Sequence, residues 1–324
     1  MNQYKISVII PVYNVEPYIE ACLQSVANQT MTDGIECILV DDCGTDNSVS
    51  LAEGFIGSYT GNIKFSLIHR EQNGGLSAAR NIGIQTALGE YLYFLDSDDE
   101  ISPNCMELMW GLIAKYGKIN MVQGSFYETE QEYKTLSSYQ IPEVTNNRKV
   151  IKIFLLSYAG DIVGAQSRLI RKDVLVQHHL LFKEGIIHED NHWTFFLAKY
   201  ITSMAFCPVR TYYHRFNPTS ITGNINVVNE TMAYKTLVSD FCANIDNFLP
   251  GHQKELILNT LITALRFHYY EKDSDRDSLI STFARSNSFI ERCMLLLYFK
   301  NPNSWTRNKT LHLLIRYYKM QDLW

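Results

Sequence analysis

A chain of 324 residues, 46% hydrophobic and 19% charged, is long enough for one sizeable α/β core plus a smaller appended part, which excludes disorder as the expected state. Its formal net charge of −5 supplies no basic stripe to displace phosphate counterions, so no nucleic-acid partner is expected. Seven cysteines stand singly from Cys22 to Cys293, no basic-then-apolar leader opens the chain, and no window approaches twenty uninterrupted apolar residues; the expectation is a cytoplasmic protein without disulfides or membrane spans.

The first 130 residues alternate β-branched runs with helical patterns, as in a sheet whose strands are joined by crossover helices. Strands are expected at 6–12, 35–40, 65–68 and 91–95, with helices at 16–28, 48–55 and 77–87 between them. A helix over 103–116 would open with Ser102 as N-cap and Pro103 in its first turn, and 121–127 reads as a further strand. Polar residues 128–147 form a long connection. Beyond it, a strand at 167–170 and a helix at 189–200 carry the core to about residue 222. After Val227 the pattern is helical almost throughout, broken at Pro250-Gly251 and Asn301-Pro302.

Ligands of an α/β sheet bind beyond the carboxyl ends of its strands, so the polar residues after each apolar run come first. The first strand leads into Pro11-Val12-Tyr13-Asn14-Val15-Glu16, the second into Asp41-Asp42-Cys43-Gly44-Thr45-Asp46, and the fourth into Asp96-Ser97-Asp98-Asp99; all should face one crevice. No glycine follows the first strand, which argues against a G-x-G-x-x-G dinucleotide site. Gly117-Lys118 lacks the remainder of a P-loop. Phosphate charge needs another partner, and alternate carboxylates at Asp96 and Asp98 can hold a hard divalent cation that grips a diphosphate. The same tripeptide also reads as an acidic surface turn; an EF-hand fails because Ile101 stands where its glycine belongs.

Asp41 and Asp42 read either as a solvated turn or as acceptors for a base N–H or ribose hydroxyl. Asn73-Gly74-Gly75 turns into a helix bearing Arg80, an ion-pair partner or a ligand group. Glu189 and Asp190 sit at a helix start, as caps or as a carboxylate able to take a proton from an attacking hydroxyl. His188, Glu189 and His192 match H-E-x-x-H, with His214 as a third zinc ligand, but Gly185-Ile186-Ile187 reads as a loop or strand that enters the helix only at about Glu189. In Tyr212-Tyr213-His214-Arg215-Phe216-Asn217-Pro218-Thr219-Ser220, a surface turn competes with a segment in which His214 completes a metal shell while Arg215 and Ser220 touch diphosphate oxygens.

Taken in order, PVYNVEPYIEACLQSVANQT, ILVDDCGTDNS, NGGLSAARNIGI, GEYLYFLDSDD, HEDNHW and YYHRFNPTSIT resemble the inverting glycosyltransferases of family 2 over roughly residues 5 to 222. The resemblance implies a GT-A fold: an α/β, Rossmann-like mixed sheet flanked by helices, here with a helical C-terminal appendage. It implies a catalytic domain at 1–222, divided into a nucleotide-sugar part (1–127) and an acceptor and base part (128–222), followed by a helical region at 223–324. The implied donor is a nucleotide sugar, a UDP-sugar, and the acceptor a saccharide or lipid-linked saccharide. Pro11, Tyr13, Glu16 and Asp41 would contact the nucleoside, Asp96 and Asp98 would serve the ribose and Mn2+ or Mg2+, Arg80 would lie by the donor, and Asp190 would be the base. Cys43 departs from the glycine frequent at that position. A nucleotidyltransferase is the alternative reading, disfavoured by the missing glycine-rich lysine loop.

From Arg285 to Lys319, seven basic residues face Glu291 alone and interleave with aromatic and aliphatic residues. That composition fits helices packed on the core, or peripheral attachment to the inner face of an anionic cell membrane.

Overall fold

The computed structural model describes residues 4–127, 142–156, 164–215, 217, 226–268, 270, 272–300 and 304–323. Four parallel strands build one half of the sheet: β1 (Tyr4–Val12), β2 (Ile35–Asp41), β3 (Lys64–His69) and β4 (Gly89–Phe94). They follow the order β3-β2-β1-β4, with crossover helices α1 (Ile19–Ala27), α2 (Ser48–Ser58) and α3 (Gly75–Thr86).

The sheet continues beyond β4 through β8 (Arg168–Arg171), β6 (Met121–Tyr127), β9 (Met204–Tyr213) and β5 (Glu100–Ile101), with β7 (Val144–Thr145) beside β9. Antiparallel pairing enters at β4 with β8, β8 with β6, β5 with β9 and β7 with β9, so the sheet is mixed. This is the GT-A arrangement that the resemblance implied.

Strand alternation sorts the core. Ile6, Val8, Ile10 and Val12 of β1 join Cys37 and Leu39 of β2 and Tyr91 and Tyr93 of β4 on one face, under α1 and α4 (Cys105–Tyr116). Ile9, Ile38, Val40, Leu92 and Phe94 fill the other face, beneath α3, α5 (Arg148–Leu156), α6 (Lys172–Gln177) and α7 (Glu189–Leu197). Such uninterrupted apolar runs belong to strands covered on both sides.

All described elements from Val227 onward are helices: α8 (Val227–Ala243), α9 (Pro250–Arg266), α10 (Asp273–Arg285), α11 (Phe289–Lys300) and α12 (Ser304–Gln321). Leu261, Phe283 and Tyr318 of this region join the hydrophobic cluster of the second sheet face, so the helices dock on the sheet-bearing part through shared core. No described helix is long and apolar enough to cross a membrane.

Helix α4 begins later than the sequence predicts. Asn104, not Ser102, is its N-cap; Ser102 donates its hydroxyl to Asn104 Oδ1 (2.9 Å), and its own amide pairs with Thr211 O (2.8 Å). The pairing of β5 with β9 holds Ser102 in extended structure and leaves Pro103 ahead of the helix. Likewise α1 starts at Ile19 rather than near Glu16, because residues 15–18 form a turn bonded to the start of α2 through Val15 N–H to Ser48 Oγ (2.8 Å).

Candidate active site

Register brings the strand ends together. Val12 lies opposite Asp41, Asp41 opposite His69, and Ile9 opposite Phe94, so the polar residues that follow β1, β2, β3 and β4 emerge along one edge. At the first of these ends Pro11 is buried within β1 opposite Val40, whereas Tyr13 is 49% exposed. Both Glu16 carboxylate oxygens accept from Asn47 (3.1 and 3.0 Å), and Glu16 N–H donates to Asp46 Oδ2 (2.8 Å), which ties the first loop to α2.

The two neighbouring acids at the end of β2, Asp41 and the Asp42 that follows it, divide their roles. Asp41 accepts Cys43 N–H (2.8 Å) and contacts His69 Nδ1 (3.0 Å), and its side chain keeps a small exposed edge. Asp42 is 2% exposed and turns inward: its carboxylate receives Gly74 N–H (3.0 Å), Gly75 N–H (2.7 Å) and the Arg70 guanidinium. It therefore satisfies the orphan amides that open α3. Cys43 adopts the left-handed region at φ 60°, which explains why glycine suits that position and shows that the turn survives a side chain there. Gly44 needs its missing side chain, since a Cβ would stand 2.9 Å from Asn14 N.

Helix α3 carries Arg80, wholly buried, into the middle of the site. Its Nη2 donates to Asp96 Oδ1 (2.8 Å), and its Nη1 donates to Glu189 Oε1 (3.0 Å) and Asp190 Oδ1 (3.0 Å). One guanidinium thus faces three carboxylates. Gln166 donates its amide to the other Asp96 oxygen, and Ala165 N–H points to Asp190 Oδ1 (3.3 Å).

Asp190 occupies the first turn of α7, behind His188 in a left-handed N-cap conformation at φ 61°. Burial pushes its carboxyl up to about 7 against the pull of Arg80, with Glu189 and Asp96 adding to the rise. Its side chain is still 19% exposed. A carboxylate tuned near neutrality is suited to accept a proton at physiological pH.

The third acidic end is shared between Asp98 and Asp99. Asp98 Oδ2 accepts Asn217 Nδ2–H (2.9 Å), and burial raises its pKa. Asp99, 1% exposed, accepts from the Tyr212 hydroxyl (2.7 Å) and Arg215 N–H (2.9 Å) and contacts His214 Nδ1 (3.1 Å). The hydrogen bond to Asp99 raises His214 to about 9. The Arg215 guanidinium pairs with Glu100. Ser220 lies outside the described residues.

The structure thus gathers Asp96, Arg80, Glu189 and Asp190 into one bonded group, with Asp98 and Asp99 beside it on the same turn, where Asn217 and His214 from the segment after β9 contact them. Sequence reasoning missed Asp42 as a helix anchor, Asp99 as the hub of the His214 segment, and Gln166. Asp99 stood within the quoted Asp96-Ser97-Asp98-Asp99 strand end, but only Asp96 and Asp98 were given roles; nothing marked Gln166. The zinc-protease pattern dissolves, because His188 contacts Glu230 (2.9 Å) and His192 contacts Asp240 (2.9 Å), both on α8. Among the described residues no group of three His, Cys, Asp or Glu side chains is arranged around a metal position.

A mixed sheet with acids gathered beyond its parallel strands and a carboxylate at a facing helix start defines a GT-A fold. Solved structures agree: S. aureus TarS 1–349 in complex with UDP-GlcNAc matches with a TM-score of 0.69 at 19% identity, covering 98% of this chain and 90% of that one. A mannosyltransferase from Pyrobaculum calidifontis, in complex with GDP-Man and Mn2+, matches with a TM-score of 0.53 at 16% identity over 100% of this chain and 88% of that one. Residues 7–178 match the family described as glycosyl transferase family 2, and the chain belongs to it. Relatives include the Bacillus subtilis glycosyltransferases EpsJ, 33% identical over 67% of this chain and 62% of that protein, and EpsH, 29% identical over 84% and 82%. The chain thus spans less than two thirds of EpsJ.

Proposed function

We propose that the protein moves a sugar, with inversion, from a nucleoside-diphosphate donor to a hydroxyl of a saccharide or lipid-linked saccharide. The observation that carries this reading is Asp190: a carboxylate raised to about 7 by burial, partly open, and tied through Arg80 to Asp96 at the donor-side strand end. The complex of TarS with UDP-GlcNAc supports a UDP-sugar as donor.

In this reading residues 1–222 form the catalytic part, with the donor in 1–127 and the acceptor and base in 128–222, and 223–324 form the helical region. Tyr13 and Asp41 face the nucleoside, with Pro11 and Glu16 shaping the loop behind them. Asp96 serves the ribose, and Arg215 and Ser220 the diphosphate. Asp190 takes the proton of the acceptor hydroxyl, whose oxygen attacks the anomeric carbon as the nucleoside diphosphate leaves from the opposite side. A single displacement inverts the centre, and Arg80 holds the base in line without protonating anything. The leaving group needs no second protein acid, unlike that of a glycoside hydrolase.

A divalent cation, Mn2+ or Mg2+, fits the residues present: Asp98 is a half-buried carboxylate raised above its ordinary range by desolvation, with the Asp96 carboxylate adding to the rise, and His214 stands near it on Asp99. Asp98 would hold the ion, and His214 would join it through its other ring nitrogen only after losing the proton that Asp99 favours. When bound, the ion would carry the negative charge of the departing diphosphate.

Asp190→Asn tests the assignment. Transfer from UDP-GlcNAc, or from whichever UDP-sugar stabilises the protein in a thermal-shift screen, should fall by at least about 100-fold while UDP affinity holds. Transfer at the wild-type rate would remove Asp190 from the chemistry.

A further inference from the structure

We infer that the outward face of the α11–α12 hairpin docks on an anionic lipid surface. The inward faces of these helices are fully committed: Leu295 of α11 and Leu314 and Tyr318 of α12 are buried in the core cluster shared with the sheet. Buried polar contacts fix the rotation of the hairpin. Glu291, 0% exposed, accepts from Lys254 (2.8 Å) and Gln321 (2.7 Å), Tyr318 donates its hydroxyl to Asn287 Oδ1 (2.7 Å), and Asp322 accepts the amides of Gly251 (2.8 Å) and His252 (3.0 Å).

What points outward is therefore set by the fold. On α11 the exposed residues Phe289, Ile290, Leu296 and Leu297 recur at helical spacing on one face, opposite Glu291 and Leu295. Phe289 is 80% and Leu297 59% exposed, far more than a solvated helix needs. On α12 Leu313 and Met320 share their face with Lys309 and Arg316, both exposed.

Charge identifies the partner. Of the described residues from Arg285 to Leu323, the exposed charged side chains are basic, while the two acids, Glu291 and Asp322, are turned inward with side chains 0% and 1% exposed. A second copy docking face to face would set these cations against one another, which costs affinity. An anionic bilayer meets both halves of the surface: apolar side chains sink to the acyl boundary, and lysine and arginine lie along the headgroups. The inference rests on the hairpin alone and stands apart from the sugar-transfer reading.

The test is sedimentation of the full chain with vesicles of phosphatidylcholine, alone or mixed with phosphatidylglycerol. Binding is expected to the mixed vesicles, to fall in high salt, and to drop more than about tenfold in Lys309→Glu/Arg316→Glu, given about 1 kcal/mol for each basic residue near the surface. Phe289→Ser/Leu296→Ser/Leu297→Ser should also lose binding although its charge is unchanged. Because all five positions are exposed, unchanged thermal unfolding certifies the fold of each variant, and salt sensitivity of the wild type remains as an independent readout. The inference is overturned if the wild type stays in the supernatant, if both variants bind as the wild type does, or if sedimentation velocity shows a dimer that the apolar triple substitution dissociates in the absence of lipid.

Discussion

Replacing Asp190 with asparagine should change the pH dependence of folding as well as the chemistry, and the stability effect can be measured without knowing the substrate. The folded carboxyl titrates at about 7, against 3.8 for its ordinary value. A group raised in this way favours the folded state fully only below its unfolded pKa, and that advantage is lost as pH climbs through the folded value. The rise of about three units corresponds to roughly 4 kcal/mol if all of it is expressed, of which about 2–3 kcal/mol is lost between about pH 5 and pH 8.5. Asparagine cannot titrate, so the variant should escape that loss. Urea denaturation of both proteins across this range should show the variant gaining on the wild type as pH rises, overtaking it above neutrality if the weakened contact with Arg80 costs only about 1–2 kcal/mol. A stability gap that stays constant from about pH 5 to 8.5 would refute the burial argument, and with it the reason for assigning Asp190 as the base.

Three further outcomes follow from neighbouring contacts. Arg80→Met removes the cation that holds three carboxylates, so the acid limb of kcat/KM should move upward by about one unit or more, and an unmoved limb would mean that Arg80 does not set the base. Asp98→Ala should abolish the effect of Mn2+ on UDP binding in calorimetric titrations; identical curves with and without the metal in wild type and variant would show that no ion acts there. Asp42→Ala strips a buried carboxylate from two amides and Arg70, with an expected loss of about 3 kcal/mol in denaturant unfolding. A loss below about 1 kcal/mol would mean that the start of α3 is held by other contacts.

The parallel half of the fold was legible because its strands are continuous apolar runs that stop at acids, and both signals are local. Strands 6–12, 35–40, 65–68 and 91–95 lie within the observed β1–β4 to about a residue or two at each end. Strand β9 escaped notice because Pro208 interrupts Met204–Tyr213 and its partners lie far away in the sequence. Helix α5 follows the long polar connection with few start signals, and the two-residue strands β5 and β7 exist only through pairing with β9. The same division holds in the site. Asp41 and Asp42 look equivalent in sequence, yet one pairs with His69 and the other anchors α3, because that choice depends on Gly74, Gly75 and Arg70 arriving from 28 to 33 residues away.

That anchor explains how the acid that follows β2 bears on Asp190, the proposed base on α7. Asp42 fixes the first amides of α3, and α3 in turn places Arg80 two helical turns or less further on, where no solvent reaches it. A buried guanidinium must find anions, and it finds Asp96 at the end of β4 and the Glu189-Asp190 pair across the cleft. Neither side can shift without leaving buried charge uncompensated, a penalty of several kcal/mol. The strand end assigned to the donor and the helix start assigned to the acceptor are therefore held at a fixed separation before any ligand arrives, and such preorganisation is what a single in-line displacement requires.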